Sequence, residues 1–147
     1  MDENAYHTHR SQINTIPCVF GKAILAGCAQ CELSSKRSLA EREIVSCNAQ
    51  VAQINCTTLH NLFRERAAFA LKIAPANTEM AHNKAMQLQC GGLKGLQNAL
   101  QADICNVHAL IQQTLEKEES MLNLPWQEIV AAIALWKPRQ RFKNKPI

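Results

Sequence analysis

The residues of this chain best suited to chemistry are its cysteines, most of which lie near the N-terminus. Five of the seven fall between residues 18 and 56, in the spacing Cys-x9-Cys-x2-Cys-x15-Cys-x8-Cys. Within this run, Cys28 and Cys31 form a Cys-x-x-Cys pair, a spacing that lets two thiolates reach one metal across a tight turn. A tetrahedral ion or an iron–sulfur cluster needs further thiolates, which the neighbouring cysteines can supply. The sequence therefore predicts a metal centre in the first third of the chain.

An iron–sulfur cluster of the [4Fe–4S] type is the first hypothesis for this centre. Its four ligands would come from six cysteines, namely Cys18, Cys28, Cys31, Cys47, Cys56 and Cys90. Cys90 joins the set because it lies in the segment LQCGGLKG, whose glycines let backbone N–H groups approach cluster sulfur. The alternative for Cys90 is a small apolar residue in the core. A cluster here predicts a role in electron transfer or in redox or oxygen sensing, with a protein partner that the sequence does not identify.

Zinc is the second hypothesis for the same cysteines. Cys28 and Cys31 would bind the ion together with Cys47 and Cys56, or together with Cys56 and His60. The last two residues are four apart, which places them on one helical face at a suitable ligand spacing. A zinc ion would hold the first third of the chain together and leave the protein as a helical interaction module with a basic tail.

A metal-free dithiol switch is the third hypothesis, with Cys28 and Cys31 as the reactive pair. The thioredoxin-like setting for such a pair requires a βαβ pattern, which we do not find in this sequence. Cys105 stands apart from all three hypotheses. It is next to the apolar Ile104 and far along the chain from the other cysteines, so we assign it to the core.

Signatures of common enzyme classes are missing from the sequence. It contains no phosphate-binding loop, no Gly-x-Gly-x-x-Gly and no His-Glu-x-x-His. Asp2 and Asp103 are the only aspartates, and the single Glu-x-x-His, from Glu79 to His82, is half of what a di-iron bundle uses. The sequence therefore favours a binding or electron-transfer role over turnover of a substrate by this chain alone.

Length and composition predict one helical domain. A chain of 147 residues is long enough for one hydrophobic core. It is 47% hydrophobic but only 5% aromatic, which favours packed helices over a sheet. Because the N-terminus has no signal-peptide pattern, we expect a cytoplasmic protein with reduced thiols. No apolar run approaches the roughly 20 residues of a membrane span.

The positive charge is concentrated at the C-terminal end. The net charge is +4, and five of the basic residues lie in the segment 137–147, which contains no acid. The rest of the chain carries eleven basic and twelve acidic residues. We expect 137–147 to be a disordered tail. It could contact nucleic acid, but a slightly acidic body does not favour that partner.

Hydrophobic periodicity gives the elements that must hold the cysteines in place. We expect residues 1–16 to be a flexible arm and 17–136 to form a single domain. Helices are predicted over 20–29, 39–47, 48–73, 78–118 and 125–136, and the inward face of the third would include Val51, Leu59, Phe63 and Phe69. The second of these would begin at a capping box formed by Ser38 and Glu41. The sequence thus predicts an all-α fold, an irregular bundle of about four to six helices with a cysteine-rich N-terminal third.

Overall fold

The computed structural model describes residues 2–73 and 79–138, which are mostly helical. Helix accounts for 61% of the structure, and a small antiparallel sheet accompanies it. The helices are α1 (Glu3–Ile13), α2 (Gly21–Leu25), α3 (Gln50–Leu71), α4 (His82–Ala99), α5 (Val107–Glu118) and α6 (Trp126–Leu135), and the strands are β1 (Ser34–Leu39) and β2 (Arg42–Cys47). The all-α prediction is therefore right about the helices but missed the sheet. Beyond Lys137 and Pro138, the predicted basic tail lies outside the described residues.

The predicted helix over 39–47 is wrong, because this stretch forms most of a β-hairpin. Strands β1 and β2 pair from Ser34 opposite Cys47 to Leu39 opposite Arg42. The capping box is also wrong, since Ser38 pairs with Glu43 across the sheet. The turn residues Ala40 and Glu41 have φ angles of 51° and 68°. Positive φ at both central residues is the mark of a type I′ turn, whose twist matches that of a hairpin.

Strand β2 explains why the periodicity was misleading. Ile44 and Val45 are adjacent in sequence and both are buried. Successive side chains of a strand point to opposite faces, so both faces of β2 are covered at this point. A short apolar pair of this kind fits a helix as well as a doubly covered strand. The β-branched side chains pack well on a pleated surface and favour the strand.

Helix α3 confirms the helix predicted over 48–73, and its buried face agrees with the predicted one at Leu59 and Phe63 but not throughout. The buried residues are Leu59, Phe63, Ala67 and Leu71, at a constant step of four. By contrast, Val51 and Phe69, which we expected to face inward, are 73% and 97% exposed. The prediction failed at Val51 and Phe69 because it followed the large apolar residues, whereas the buried face continues from Phe63 through Ala67 to Leu71.

The single helix predicted over 78–118 is two helices, α4 and α5. The chain leaves α4 at Gln101, whose φ is 55°. It then enters α5 at Asn106, whose side chain accepts a hydrogen bond from the backbone N–H of Ala109 at 3.3 Å. Such an N-cap satisfies one of the unpaired donors at a helix start. The break between the two helices therefore falls at residues 100–106, and Gly91 and Gly92 lie inside α4 without interrupting it.

The glycines of α4 allow that helix to pack very closely against its neighbours. A Cβ atom at Gly91 would lie 2.7 Å from the Cα atom of Ile133 in α6. One at Gly92 would lie 2.4 Å from the ring of Phe63 in α3. Helices α3, α4 and α6 thus surround the most buried part of the core, where Phe63 and Trp126 meet edge-to-face. The core compensates for the low helix propensity of glycine.

Residues 3–13, expected to be part of a flexible arm, form α1. The Asp2 side chain caps this helix by accepting a hydrogen bond from the N–H of Ala5 at 2.7 Å. Tyr6 is buried, and the guanidinium of Arg42 lies 4.2 Å from the centre of its ring. Arg42 also forms an ion pair with Glu3. These contacts attach α1 to the hairpin.

None of the helices in the described ranges has the length and apolar character needed to cross a membrane.

Candidate metal centre

Four cysteines line a single pocket between the hairpin and α3, which we call the four-thiol pocket. They are Cys18, Cys31, Cys47 and Cys56. Each comes from a different part of the chain: the segment before α2, the segment before β1, the end of β2, and α3. Apolar side chains, among them those of Leu33 and Val107, complete the wall. The cavity volume is about 20 Å³, close to that of one water-sized sphere.

Cys18 and Cys47 are positioned by a short extension of the sheet. The N–H of Cys18 donates to the carbonyl oxygen of Val45 at 3.0 Å, and the N–H of Cys47 donates to that of Ile16 at 2.7 Å. Pro17 forms the bridge between these two bonds, opposite Ser46. The segment 16–18 therefore runs antiparallel to the end of β2. Diagonal neighbours in such a pairing share one face, so both cysteines lie on the same side.

Cys31 is held by hydrogen bonds on both sides of it. The Ser34 hydroxyl donates to the carbonyl oxygen of Cys31 at 2.8 Å, just before β1 begins. On the other side, Gln30 donates its N–H to the carbonyl oxygen of Cys105 at 2.9 Å. The N–H of Val107 donates in turn to the Gln30 carbonyl oxygen at 2.9 Å. The start of α5 therefore fixes the backbone from which Cys31 enters the pocket.

Cys56 enters the pocket from α3. Ala52 and Gln53 line the same wall, and residues three and four apart lie on one side of a helix. The Gln53 side-chain amide also donates to the carbonyl oxygen of Pro17 at 3.2 Å. Through this bond α3 is tied to the segment that carries Cys18. The sequence folds so that its cysteine-rich segments enclose the N-terminal turns of α3.

Two of these thiols are shifted strongly towards the protonated form. The pKa of Cys18 is raised to about 11, chiefly by burial; a backbone hydrogen bond at Phe20 lowers it, and the nearby Cys31 and Cys47 contribute to the increase. Burial likewise raises the pKa of Cys56 to about 12, with smaller contributions from the other three cysteines. Four buried thiolates repel one another unless a cation is bound among them. A metal bound here would displace these protons, which couples its affinity to pH.

The four thiols surround the pocket without converging on one point. Within residues 2–73 and 79–138, no three Cys, His, Asp or Glu side chains are grouped as ligands of a single ion. The Cys47 thiol instead donates to the carbonyl oxygen of Ala49 at 3.1 Å. Zinc–sulfur bonds of about 2.3 Å would bring tetrahedral ligand sulfurs to roughly 3.8 Å from one another. Binding a single ion therefore requires the side chains to turn inward.

The other two cysteines predicted as ligands lie elsewhere. Cys28 does not line the four-thiol pocket, although Cys31 does, so the Cys-x-x-Cys pair is divided between two environments. Cys90 is only 2% exposed and belongs to the hydrophobic core. It lies beside Cys28, with Cys105 nearby. Cys105 packs against the core, as expected.

Of the histidines His60 and His108, only His108 lines the four-thiol pocket. His60, an alternative zinc ligand in the sequence hypothesis, stacks edge-to-face on Phe20 with 5.7 Å between ring centres, and does not line the pocket. Burial lowers its pKa, and the charge of Arg64 lowers it further. His108, in the first turn of α5, does line the pocket. No sequence pattern pointed to His108, because it stands alone and far along the chain from the N-terminal cysteines.

The four-thiol pocket therefore combines soft ligands from four segments, a largely apolar wall and one imidazole at its edge. Thiolate ligands suit iron–sulfur clusters and zinc. No protein-family model, no curated protein and no solved structure matches this chain.

Proposed function

We propose that this protein binds an iron–sulfur cluster through Cys18, Cys31, Cys47 and Cys56. The supporting observation is that four thiols, brought from four separate segments, line one pocket. Four cysteine ligands are the usual complement of [2Fe–2S] and [4Fe–4S] clusters. The function that follows is electron transfer or redox sensing, carried out together with a protein partner.

The arrangement of the sulfurs favours a cluster over a single ion. In a [4Fe–4S] cluster each cysteine binds a different iron, so the ligands must surround the cluster and not meet at one point. The four thiols likewise surround the pocket that they line and do not meet at one point. Its apolar wall would limit contact with water, which is one of the factors that set a cluster's reduction potential. The cavity, at about 20 Å³, must widen to hold a cluster.

Zinc is the second candidate because the cavity is small. A volume of about 20 Å³ suits one ion better than a polynuclear cluster. A Cys₄ zinc site is closed and structural, and it would link the hairpin to α3. His108 would be the nitrogen ligand if one thiol stayed outside the coordination sphere. This candidate assigns the centre a role in stability and leaves the binding function to other surfaces.

The test is the metal content of the full chain purified without oxygen, together with its visible absorption. We expect iron and sulfide in similar amounts and a broad visible band. Zinc without colour would select the second candidate. The absence of both metals from the protein, and after reconstitution, would overturn the proposal.

The divided Cys-x-x-Cys pair provides a matched control. Cys31→Ser should lose most of the bound metal, because it removes one of the four pocket thiols. Cys28→Ser should retain metal close to the wild-type level, because Cys28 lies outside the pocket. Equal loss from both variants would show that the Cys-x-x-Cys pair acts as one unit, against the arrangement of thiols described above.

A further inference from the structure

Three sulfurs form a second group outside the four-thiol pocket. Cys28 follows α2 after a turn at Gly27, whose φ is 81°. Cys90 lies on the buried face of α4, one turn after Met86, which lines a surface groove together with Cys28. Cys28 packs against the core cluster that contains Cys90, and its thiol raises the pKa of Cys90. The sulfur of Cys105 is 3.9 Å from the carbonyl oxygen of Leu93. These three residues are called the second thiol group below.

Within this group, Cys28 is the thiol that small molecules reach most readily. It lines two grooves at the surface, one shared with Asp103 and Cys105 and the other with Met86 and Trp136. Cys90 lies beneath it and is almost completely buried. An accessible thiol in contact with a buried one is the arrangement of an attacking cysteine and a resolving cysteine.

We propose that Cys28 and Cys90 form a disulfide in response to peroxide, and that this pair is separate from the four-thiol pocket. Sequence spacing would pair Cys28 with Cys31. The fold excludes that pairing as the preferred one, because Cys31 lines the four-thiol pocket while Cys28 faces α4. The proposal does not depend on which metal, if any, the pocket binds.

The reaction consumes one peroxide for each disulfide. The Cys28 thiolate attacks a peroxide oxygen, so that a sulfur–oxygen bond forms and the oxygen–oxygen bond breaks. The hydroxide that leaves takes up a proton and becomes water. The Cys90 sulfur then attacks the Cys28 sulfur, which forms the disulfide and breaks the sulfur–oxygen bond. The second hydroxide takes the proton of the Cys90 thiol. Two thiols and one hydrogen peroxide thus give one disulfide and two waters.

The surroundings of the two thiols support this division of roles. Burial raises the pKa of Cys90, and the contact with Cys28 raises it further, so Cys90 remains a thiol at neutral pH. Cys28 is partly exposed and lines two surface grooves, whereas Cys90 is almost completely buried, so peroxide reaches Cys28 first. Cys90 then meets a sulfenic acid already at its side. Cys105 has a pKa raised to about 11, chiefly by burial, so it also competes poorly for peroxide.

The disulfide would also restrain the four-thiol pocket. Cys31 follows Cys28 by three residues, and Gln30 between them is bonded to both Cys105 and Val107. Linking Cys28 to α4 would fix the second end of this short segment. Oxidation of the second thiol group would therefore restrict the backbone that presents Cys31.

The test is a peptide map of the wild-type full chain, treated with one equivalent of hydrogen peroxide, alkylated and digested with trypsin. Cleavage after Lys22 and Lys36 places Cys28 and Cys31 together in peptide 23–36, and cleavage after Lys84 and Lys94 places Cys90 in peptide 85–94. We expect these two peptides to be joined, with Cys31 alkylated and the bond reversed by dithiothreitol. A disulfide within peptide 23–36, a link from Cys28 to Cys105, or peroxide treatment that leaves Cys28 reduced would overturn the proposal.

Two variants complete the design. Cys105→Ser should keep the joined peptides at the wild-type yield, since Cys105 is not part of the pair. Cys28→Ser should abolish them and leave Cys90 reduced, because the buried thiol does not react first. Joined peptides in Cys31→Ser would show that the pair works in a protein whose four-thiol pocket is disabled. Their absence there would contradict the independence of the two thiol centres.

Discussion

Gly92 is the residue at which the core leaves least room. Its missing side chain makes space for the ring of Phe63, which is completely buried. A Cβ atom would lie 2.4 Å from that ring, well inside van der Waals contact. Helix propensity alone would make Gly92→Ala stabilise the protein by about 1 kcal/mol. Overpacking of a core costs typically about 1–3 kcal/mol and occasionally more, and the sign of the change follows from which effect is larger.

We expect Gly92→Ala to lower the free energy of unfolding by about 1–3 kcal/mol, because an aromatic ring at the centre of a core cannot move aside. Urea denaturation followed by far-UV circular dichroism measures the change. Gly21→Ala is the matched control, since its Cβ atom would meet Val45 at an ordinary 3.6 Å. It should leave stability unchanged or slightly higher. Gly92→Ala as stable as this control would contradict the packing described for α4 and α3.

The four cysteines of the candidate site were visible in the sequence, but their grouping and the place of His108 beside them were not. All four cysteines of the four-thiol pocket were among the six predicted ligands. The division of Cys28 from Cys31 could not be predicted, because it depends on contacts with distant parts of the chain. Cys28 faces a residue of α4, and Gln30 is bonded to the start of α5. Local spacing carries no information about such contacts.

The hairpin is the element that was not predicted from the sequence, and its turn lacks the residues that type I′ turns favour. Ala40 and Glu41 both adopt positive φ, a conformation that costs an ordinary L-residue roughly 1–2 kcal/mol. Type I′ turns favour Asn followed by Gly, which adopt it at much lower cost. The hairpin is therefore formed in spite of its turn, through the burial of Ile44 and Val45 and the docking of α1.

We expect the double substitution Ala40→Asn with Glu41→Gly to stabilise the protein by about 1 kcal/mol, because it relieves the strained turn. The measurement is the midpoint of thermal unfolding. Ala40→Pro provides the opposite control, since proline fixes φ near −65° and cannot adopt the observed 51°. Stabilisation by proline, or destabilisation by the Asn-Gly pair, would show that this turn is not of type I′.

A long apolar period predicted helical structure correctly but did not always show where a helix ends, and short apolar runs were misassigned. Helix α3 was expected close to where it lies because its periodicity extends over several turns, and α6 because Pro125 and Pro138 mark its ends. The residues between 34 and 47 offer only one short apolar run, and tertiary contacts decided their structure. The long helix predicted over 78–118 divides because Asn106 starts a new helix, a competing signal that the apolar stripe conceals.

At the scale of the whole molecule, the four-thiol pocket borders the helical core, because Cys31 and Cys56 pack against it. The pocket is formed mainly by residues 18–56, with the start of α5. Most of the fully buried side chains belong to α3, α4, α5 and α6, with Phe20 joining them from the segment before α2. Because nearly all of these buried side chains lie outside the pocket lining, the helices should keep most of their packing without the metal.

We therefore expect Cys31→Ser, without metal, to keep most of the helical circular dichroism signal. Amide hydrogen exchange should accelerate in residues 16–47, while α4 and α6 keep their protection, because opening is local to the weaker unit. Cys105→Ser should show the wild-type exchange pattern throughout. Collapse of the entire helical signal in Cys31→Ser would mean that the metal is required to fold the core.

The glycine-lined face of α4 also determines when this protein can finish folding on the ribosome. A helix of this length with three glycines is not stable alone in water, so it must wait for the surfaces that cover it. One of these surfaces is α6, whose Ile129 and Ile133 meet the glycines. The cysteine-rich segments are synthesised long before α6 leaves the exit tunnel. During this interval the thiols are exposed on a partly folded nascent chain, and the core closes only after residue 135 has emerged.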